Sequence, residues 1–338
     1  MTFRTFGGIL DLSHGKGSWT RRTVCGAGNA SRQAAGRPFR RDMRSRPGPI
    51  REGNTEMAKL RSLRILLGIY LLTAAAGTAV YLLLPEAWPW WLNLLLADTA
   101  ATVVTFVFSC IFRNASVYDP YWSVQPLYIL TAFALVKGSG TAGIWALLLI
   151  TVWSLRLTAN WVYTFHGLDS YEDWHYKLLR EKTGVFYPVV NFLGIHMVPT
   201  AVVWAATLPA ALLVRTQAAL TLPAALVMAL CLFSVWLELR ADLTMHRFRR
   251  ERREGFCREG LWKYARHPNY LGEITFWWWL GLGALLIFRD RWYLLAGALA
   301  NTVLFLAASI PMADRHQARK EGYAAYRRAT RSLLPFRK

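Results

Sequence analysis

The stretch from Glu238 to Glu273, ELRADLTMHRFRRERREGFCREGLWKYARHPNYLGE, carries more groups able to do chemistry than any other part of the chain. Glu238 and Asp242 are four residues apart. A helix running to about Arg250 therefore puts both carboxylates on one stripe with Met245 and Arg249. Such a stripe also serves as a solvated, ion-paired face. The end of the stretch is more specific. Arg266-His267-Pro268-Asn269-Tyr270 sets a turn at the mouth of an apolar helix, with Glu273 one turn inside it. A proline at a helix start leaves backbone N–H groups unbonded. A guanidinium and an imidazole beside them make a cradle for a phosphate or a carboxylate.

Three further segments interrupt apolar text. NASVYDPYWSVQP, from Asn114 to Pro126, holds Tyr118 and Asp119 in a turn between two apolar runs. Polar groups near membrane depth are costly unless they are paired or meet water, so this segment is either a capped re-entrant turn or a working site. Arg156 lies inside an apolar run, with Asn160 four residues on and hence on the same helical face. The arginine either snorkels to the headgroups or faces a polar cavity and holds an anion. The loop that follows, YTFHGLDSYEDWHYKLLR, predicts an amphipathic surface helix starting near Glu172 to Tyr176. Finally, MADRHQARKEGYAAYRRATRSLLPF places His316, Tyr323 and Tyr326 on a basic C-terminal segment, suited to anionic lipid or to closing over a phosphorylated cofactor.

The elements that must position these residues are membrane helices. The chain is 54% hydrophobic with a mean hydropathy of +0.23, and the apolar residues fall in long blocks. The net charge of +20 is distributed between those blocks rather than along a soluble face, which excludes nucleic acid and suits a membrane protein. Sixteen Trp and fourteen Tyr fit the headgroup level. The four cysteines include no CxxC pair and the seven histidines no HExxH, so neither a disulfide framework nor a metal site is expected.

A crossing helix needs about 20 apolar residues. Eight stretches qualify or nearly so: 63–84, 90–112, 121–137, 141–163, 190–214, 218–239, 270–288 and 291–312, the third short and the last two divided only by Arg289-Asp290-Arg291. The expected fold is all-α and polytopic, with seven or eight spans. Alternate connections carry Lys and Arg heavily, nine from Arg240 to Arg266 and eight from Arg315 to Lys338. The positive-inside rule then places both termini in the cytoplasm and the chemistry on that side. The sequon at Asn114-Ala115-Ser116 falls on the same side and is discounted. Residues 1–56 hold eleven Lys/Arg against four Asp/Glu with no sustained apolar period. They predict a disordered basic extension, and Met57, which enters a helix at once, is the expected start of translation. The GAG at Gly26 to Gly28 is a poor dinucleotide fingerprint.

Taken together, the GLWKYARHPNYLGE block before a Trp-rich span, the upstream ExxxD, the NASVYDPYWSVQP segment, the Arg-bearing span before EDWHY and the C-terminal YAAY…LLPF resemble the steroid 5-alpha reductase-like membrane family, in particular its bacterial branch. The resemblance runs from about Ile65 to Phe336. It implies an NADPH site facing the cytoplasm of a bacterial inner membrane, with Asp242, Arg249, Asn269 and Glu273 at positions that contact the cofactor. Arg266 and His267 adjoin them, and His316 and Tyr326 belong to the segment that closes over it. Two features depart from the family. Pro311 stands where a basic residue is expected, and the steroid-binding Glu and Tyr of the eukaryotic enzymes have no counterpart recognised in the first three spans. The RHPNYLGE block is also shared with isoprenylcysteine carboxyl methyltransferases, which use S-adenosylmethionine.

The reading that unites these observations is a membrane reductase. NADPH, held by Arg156, Asn160, Asp242, Arg249, Arg266, His267, Asn269, Tyr270, Glu273, His316 and Tyr326, would pass a hydride to the conjugated C=C of a steroid, fatty or terpenoid enone dissolved in the lipid. Tyr118, tuned by Asp119, is the expected proton donor to the carbonyl oxygen. The alternatives are a methyltransferase and a non-enzymatic lipid-binding protein; a transporter would show two similar halves, and none is evident. Neither the substrate nor the oligomeric state is legible.

Overall fold

The structure is a computed structural model and describes residues 52–169, 172–251 and 253–334. The basic stretch 1–51 and the final Pro335–Phe336 motif lie outside these residues. Among the described residues the secondary structure is helical, in the order α1 (Glu52–Leu83), α2 (Trp90–Ile111), α3 (Tyr121–Lys137), α4 (Thr141–Thr164), α5 (Trp174–Thr183), α6 (Tyr187–Val189), α7 (Val198–Arg215), α8 (Leu222–Arg250), α9 (Pro268–Ile287), α10 (Ala296–Leu304), α11 (Ile310–Gln317) and α12 (Tyr323–Ala329). A π-helix, Val190–Met197, joins α6 to α7, and a second, Phe305–Ser309, joins α10 to α11. The boundary expected at 56/57 falls inside α1, which begins at Glu52.

Among the described residues seven helical stretches are long and apolar enough to cross a membrane, so the chain is an all-α polytopic membrane protein. The expected fifth span is the second half of one run, Trp174–Arg215, and the sixth continues to Arg250, well beyond the predicted 239. At 17 residues α3 falls short of a full span. It nevertheless runs the height of the bundle. Near its start Ser123 bonds Thr158 toward the end of α4, and at its finish the Lys137 carbonyl accepts from Gln217 beside the start of α4. α3 and α4 therefore form an antiparallel pair of matched height.

The ends of α2, α4 and α8 and the starts of α3 and α9 gather at one end of the bundle. The two most basic segments are physically joined there: Ala265 pairs with Arg331 in a parallel bridge, and the amides of Arg266 and His267 donate to the carbonyls of Arg331 and Ser332 at 3.0 and 2.9 Å. α8 and α9 pack at very close range. A Cβ on Gly272 would lie 2.7 Å from the Ser234 carbonyl oxygen, so only glycine permits this approach.

Candidate functional site

α4 presents Arg156 to α8, and α8 answers with the two carboxylates on its predicted stripe. Arg156 Nη1 donates to Asp242 at 3.0 Å and Nη2 donates to Glu238. The close approach at Gly272 brings α9's Glu273 beside Glu238. Glu273 is held by two indoles, accepting from Trp153 Nε1 at 3.0 Å and from Trp277 Nε1 at 2.8 Å. Arg249 adds its positive field at Asp242. Three carboxyls and one guanidinium, all nearly inaccessible, thus meet where α4, α8 and α9 converge.

This cluster is incompletely bonded. Glu238 Oε1, Arg156 Nε and Asn269 Oδ1 are buried and have no hydrogen-bond partner, and neither does either amide atom of Gln317 on α11. Buried polar groups are ordinarily paired, because each unpaired one costs about 1–3 kcal/mol. Several on adjoining elements mark a place that receives polar atoms from elsewhere. On the outer side of the cluster, α4 and α8 enclose a recess of about 440 Å³. Arg156 and Asp242 form its floor, Asn160 and His246 are joined at 2.6 Å along its wall, and Arg247 and Arg250 stand at its polar mouth. An amide oxygen only accepts, so the imidazole Nε2 donates to Asn160.

The other residues expected at the cofactor site form a clasp rather than an open cradle. Asp314 accepts from Arg266 Nη2 at 3.0 Å, from His267 Nε2 at 3.0 Å and from the Tyr323 hydroxyl at 2.5 Å. Arg266 also donates to the Thr330 carbonyl, and Tyr326 donates to the Trp262 carbonyl at 2.5 Å. The amides of Arg266 and His267, expected to be open to an anion, are taken by the C-terminal backbone. Burial holds the His267 imidazole below its ordinary range, against the opposing pull of Asp314. Tyr270 stacks on His267 at 5.1 Å, and His316 stacks on Trp174 at 4.0 Å, tying the C-terminal segment to α5.

The hydroxyl of Tyr118 and the carboxylate of Asp119 have different hydrogen-bond partners, while the charge of Asp119 still acts on the phenol. The Tyr118 hydroxyl bonds Thr200 at 2.8 Å, and burial raises the phenol above its ordinary range. Asp119 accepts from Tyr176 at 2.5 Å and from Trp161 at 3.4 Å. Adjacent residues in a turn point apart, and these two serve different neighbours. Tyr118 reaches α7 and Asp119 reaches α4 and α5, whereas Arg156 looks to α8: Thr158 and Trp161 face α3's side and Arg156 and Asn160 face α8's. Another carboxylate that holds a phenol is Asp98. It accepts from Tyr121 at 2.6 Å and from Gln125 at 2.6 Å. Sequence reasoning passed over it because a single Asp in the apolar run of α2 has no charged neighbour to mark a pattern. Trp153 was missed for a similar reason, since an indole in an apolar helix reads as packing until its N–H is traced to Glu273.

The sequence profile of the family described as "Protein of unknown function (DUF1295)" matches residues 105–330, and the chain belongs to that family. No curated protein and no solved structure matches it significantly. The matched region takes in the carboxylate cluster, the recess and the clasp.

Proposed function

We propose that this DUF1295 chain is an NADPH-dependent membrane reductase that saturates the conjugated C=C of a lipid-soluble enone, with its polar end in the cytoplasm of a bacterial inner membrane. The observation that carries the reading is the underbonded cluster of Glu238, Arg156 and Asn269, set between a basic end of the bundle and a recess walled by lipid-facing leucines. The resemblance to the steroid 5-alpha reductase-like family supports the same cofactor.

The donor set fits NADPH. The unpaired oxygens of Glu238 and Asn269 suit ribose hydroxyls and a carboxamide N–H, while Arg249 supplies positive charge for a phosphate. Arg266 serves a phosphate only by leaving Asp314. When bound, the cofactor supplies the hydride. The chain's task is to hold the acceptor carbonyl, keep the site dry and furnish a proton. In the recess the phenol of Tyr163 is a group able to donate to an enolate oxygen, while the N–H of His246 is spent on Asn160. Tyr118 keeps the role expected of it only for a substrate that reaches the α3 side of α4.

One observation favours a second reading, an S-adenosylmethionine-dependent methyltransferase. Glu238, Asp242 and Glu273 outnumber Arg156 as hydrogen-bonding groups, and a site rich in carboxyl oxygens suits a sulfonium. Thermal stabilisation of the purified protein separates the two. NADPH raising the melting temperature, and S-adenosylmethionine leaving it unchanged, is the expected result. Asn269→Ala is expected to abolish the NADPH response; an undiminished response in that variant would remove the cofactor assignment.

A further inference from the structure

The recess between α4 and α8 has two unlike ends. At the polar end of the bundle it is rimmed by Arg247 and Arg250, in the last turn of α8. Away from it, the lining passes to Leu243 and Leu239, which are 51% and 40% exposed, with Tyr163 at 61% across from them on α4. The apolar surface continues past the recess through Trp236 on α8 and Leu155 and Val152 on α4, all exposed. In a membrane helix this surface faces hydrocarbon. The recess is therefore open along its side to lipid, and a volume of about 440 Å³ falls within the ~300–1,000 Å³ range typical of ligand sites.

We infer that this recess takes a single-chain amphiphile with a carboxylate head, entering sideways from the membrane. Charge complementarity selects the head. Arg156 is already neutralised by Glu238 and Asp242 and Arg247 is partly engaged by Glu251, so Arg250 with the free N–H groups of Arg247 is the charge left to meet an anion. A guanidinium recognises a carboxylate through paired N–H donors. The chain then runs along Leu243, Leu239 and Trp236, and the carbons next to the head lie against His246 and Asp242, at the edge of the carboxylate cluster. As the substrate class of the proposed reductase this rests on the preceding reading. As a binding site it stands on the recess alone.

The test is photolabelling in proteoliposomes with a long-chain fatty acid carrying a diazirine near its tail, followed by peptide mapping. Adducts are expected on the α8 segment around Trp236 to Leu243 and on the α4 segment around Val152 to Tyr163. They should be competed by unlabelled oleate and not by an anionic phospholipid of the vesicle. Leu243→Trp, which fills an exposed position without touching the cluster, is expected to reduce these adducts at least tenfold, and Arg247→Gln with Arg250→Gln to do the same. Adducts spread evenly over other lipid-facing leucines such as Leu82 and Leu226, or competed by the phospholipid, or unchanged in Leu243→Trp, would overturn the site. NADPH stabilisation is measured on the same Leu243→Trp protein. Retained stabilisation with lost labelling supports the amphiphile site independently of the cofactor reading, and retained labelling overturns the site whatever the NADPH response.

Discussion

α4 divides two polar regions that obey different rules. On the α8 side, three carboxyls meet one guanidinium and several buried atoms stay unbonded. On the α3 side, Asp98 has both oxygens occupied by neutral donors, and hydroxyls complete one another from Thr102 through Thr200 to Tyr118. Gln125 Oε1 is the exception among that carboxylate's partners. The first region is held by full charges, and its unpaired atoms leave room for another molecule's polar groups. The second is held by shared hydrogen bonds, with Gln125 Oε1 and the His196 Nε2 packed beside Tyr118 left unpaired. An intramembrane carboxyl can thus be kept by a countercharge or by neutral donors, and unpaired atoms remain around both.

The comparison can be broken by substitution. Arg156→Ala should have the largest effect, because it strands two buried carboxylates; a loss of about 3–5 kcal/mol is expected from unfolding in detergent. Restoration by the further changes Glu238→Gln and Asp242→Asn would show that the loss was uncompensated charge rather than lost packing. A smaller effect is expected at the clasp. His267 titrates below its ordinary value in the folded protein, so the unfolded chain takes up the proton first. Stability conferred by the neutral ring is complete above about pH 6.5 and is lost as pH falls below it. The fall in melting temperature over that range should be shallower in His267→Gln, and an identical slope would show that another group governs it. The smallest effect is expected from Asp98→Asn, at less than about 1 kcal/mol. An asparagine oxygen still accepts from Tyr121, and the Gln125 amide can turn its unpaired oxygen toward the new N–H₂. A loss as large as that of Arg156→Ala would make the α3 side as ionic as its opposite.

Much of this architecture was legible in the sequence, for identifiable reasons. Long apolar runs fix helices because the bilayer tolerates little else, so α2, α3 and α4 fall within a residue of their predicted limits. The pairing of Arg156 with the α8 stripe was half legible: the spacing of Glu238 and Asp242 gave their shared face, but not which helix faced them. The π-helix at Val190–Met197 was not legible, since one extra residue per turn leaves no mark on hydropathy. The fate of Arg266 and His267 was hidden as well. Whether a cation meets a ligand or a distant Asp314 is decided by tertiary packing, and a motif carries no record of it.

The clasp also sets an order of assembly. Arg266 is bonded to a carbonyl 64 positions later in the chain, and the bridge at Ala265 is closed by Arg331. During synthesis, the turn before α9 is delivered to the membrane while its partner strand has yet to be made. The last crossing helix ends at Gln317, so the polar end closes only after the whole bundle has been made. A chain cut short of Thr330 would keep its crossing helices and lose the bond that shuts the polar mouth.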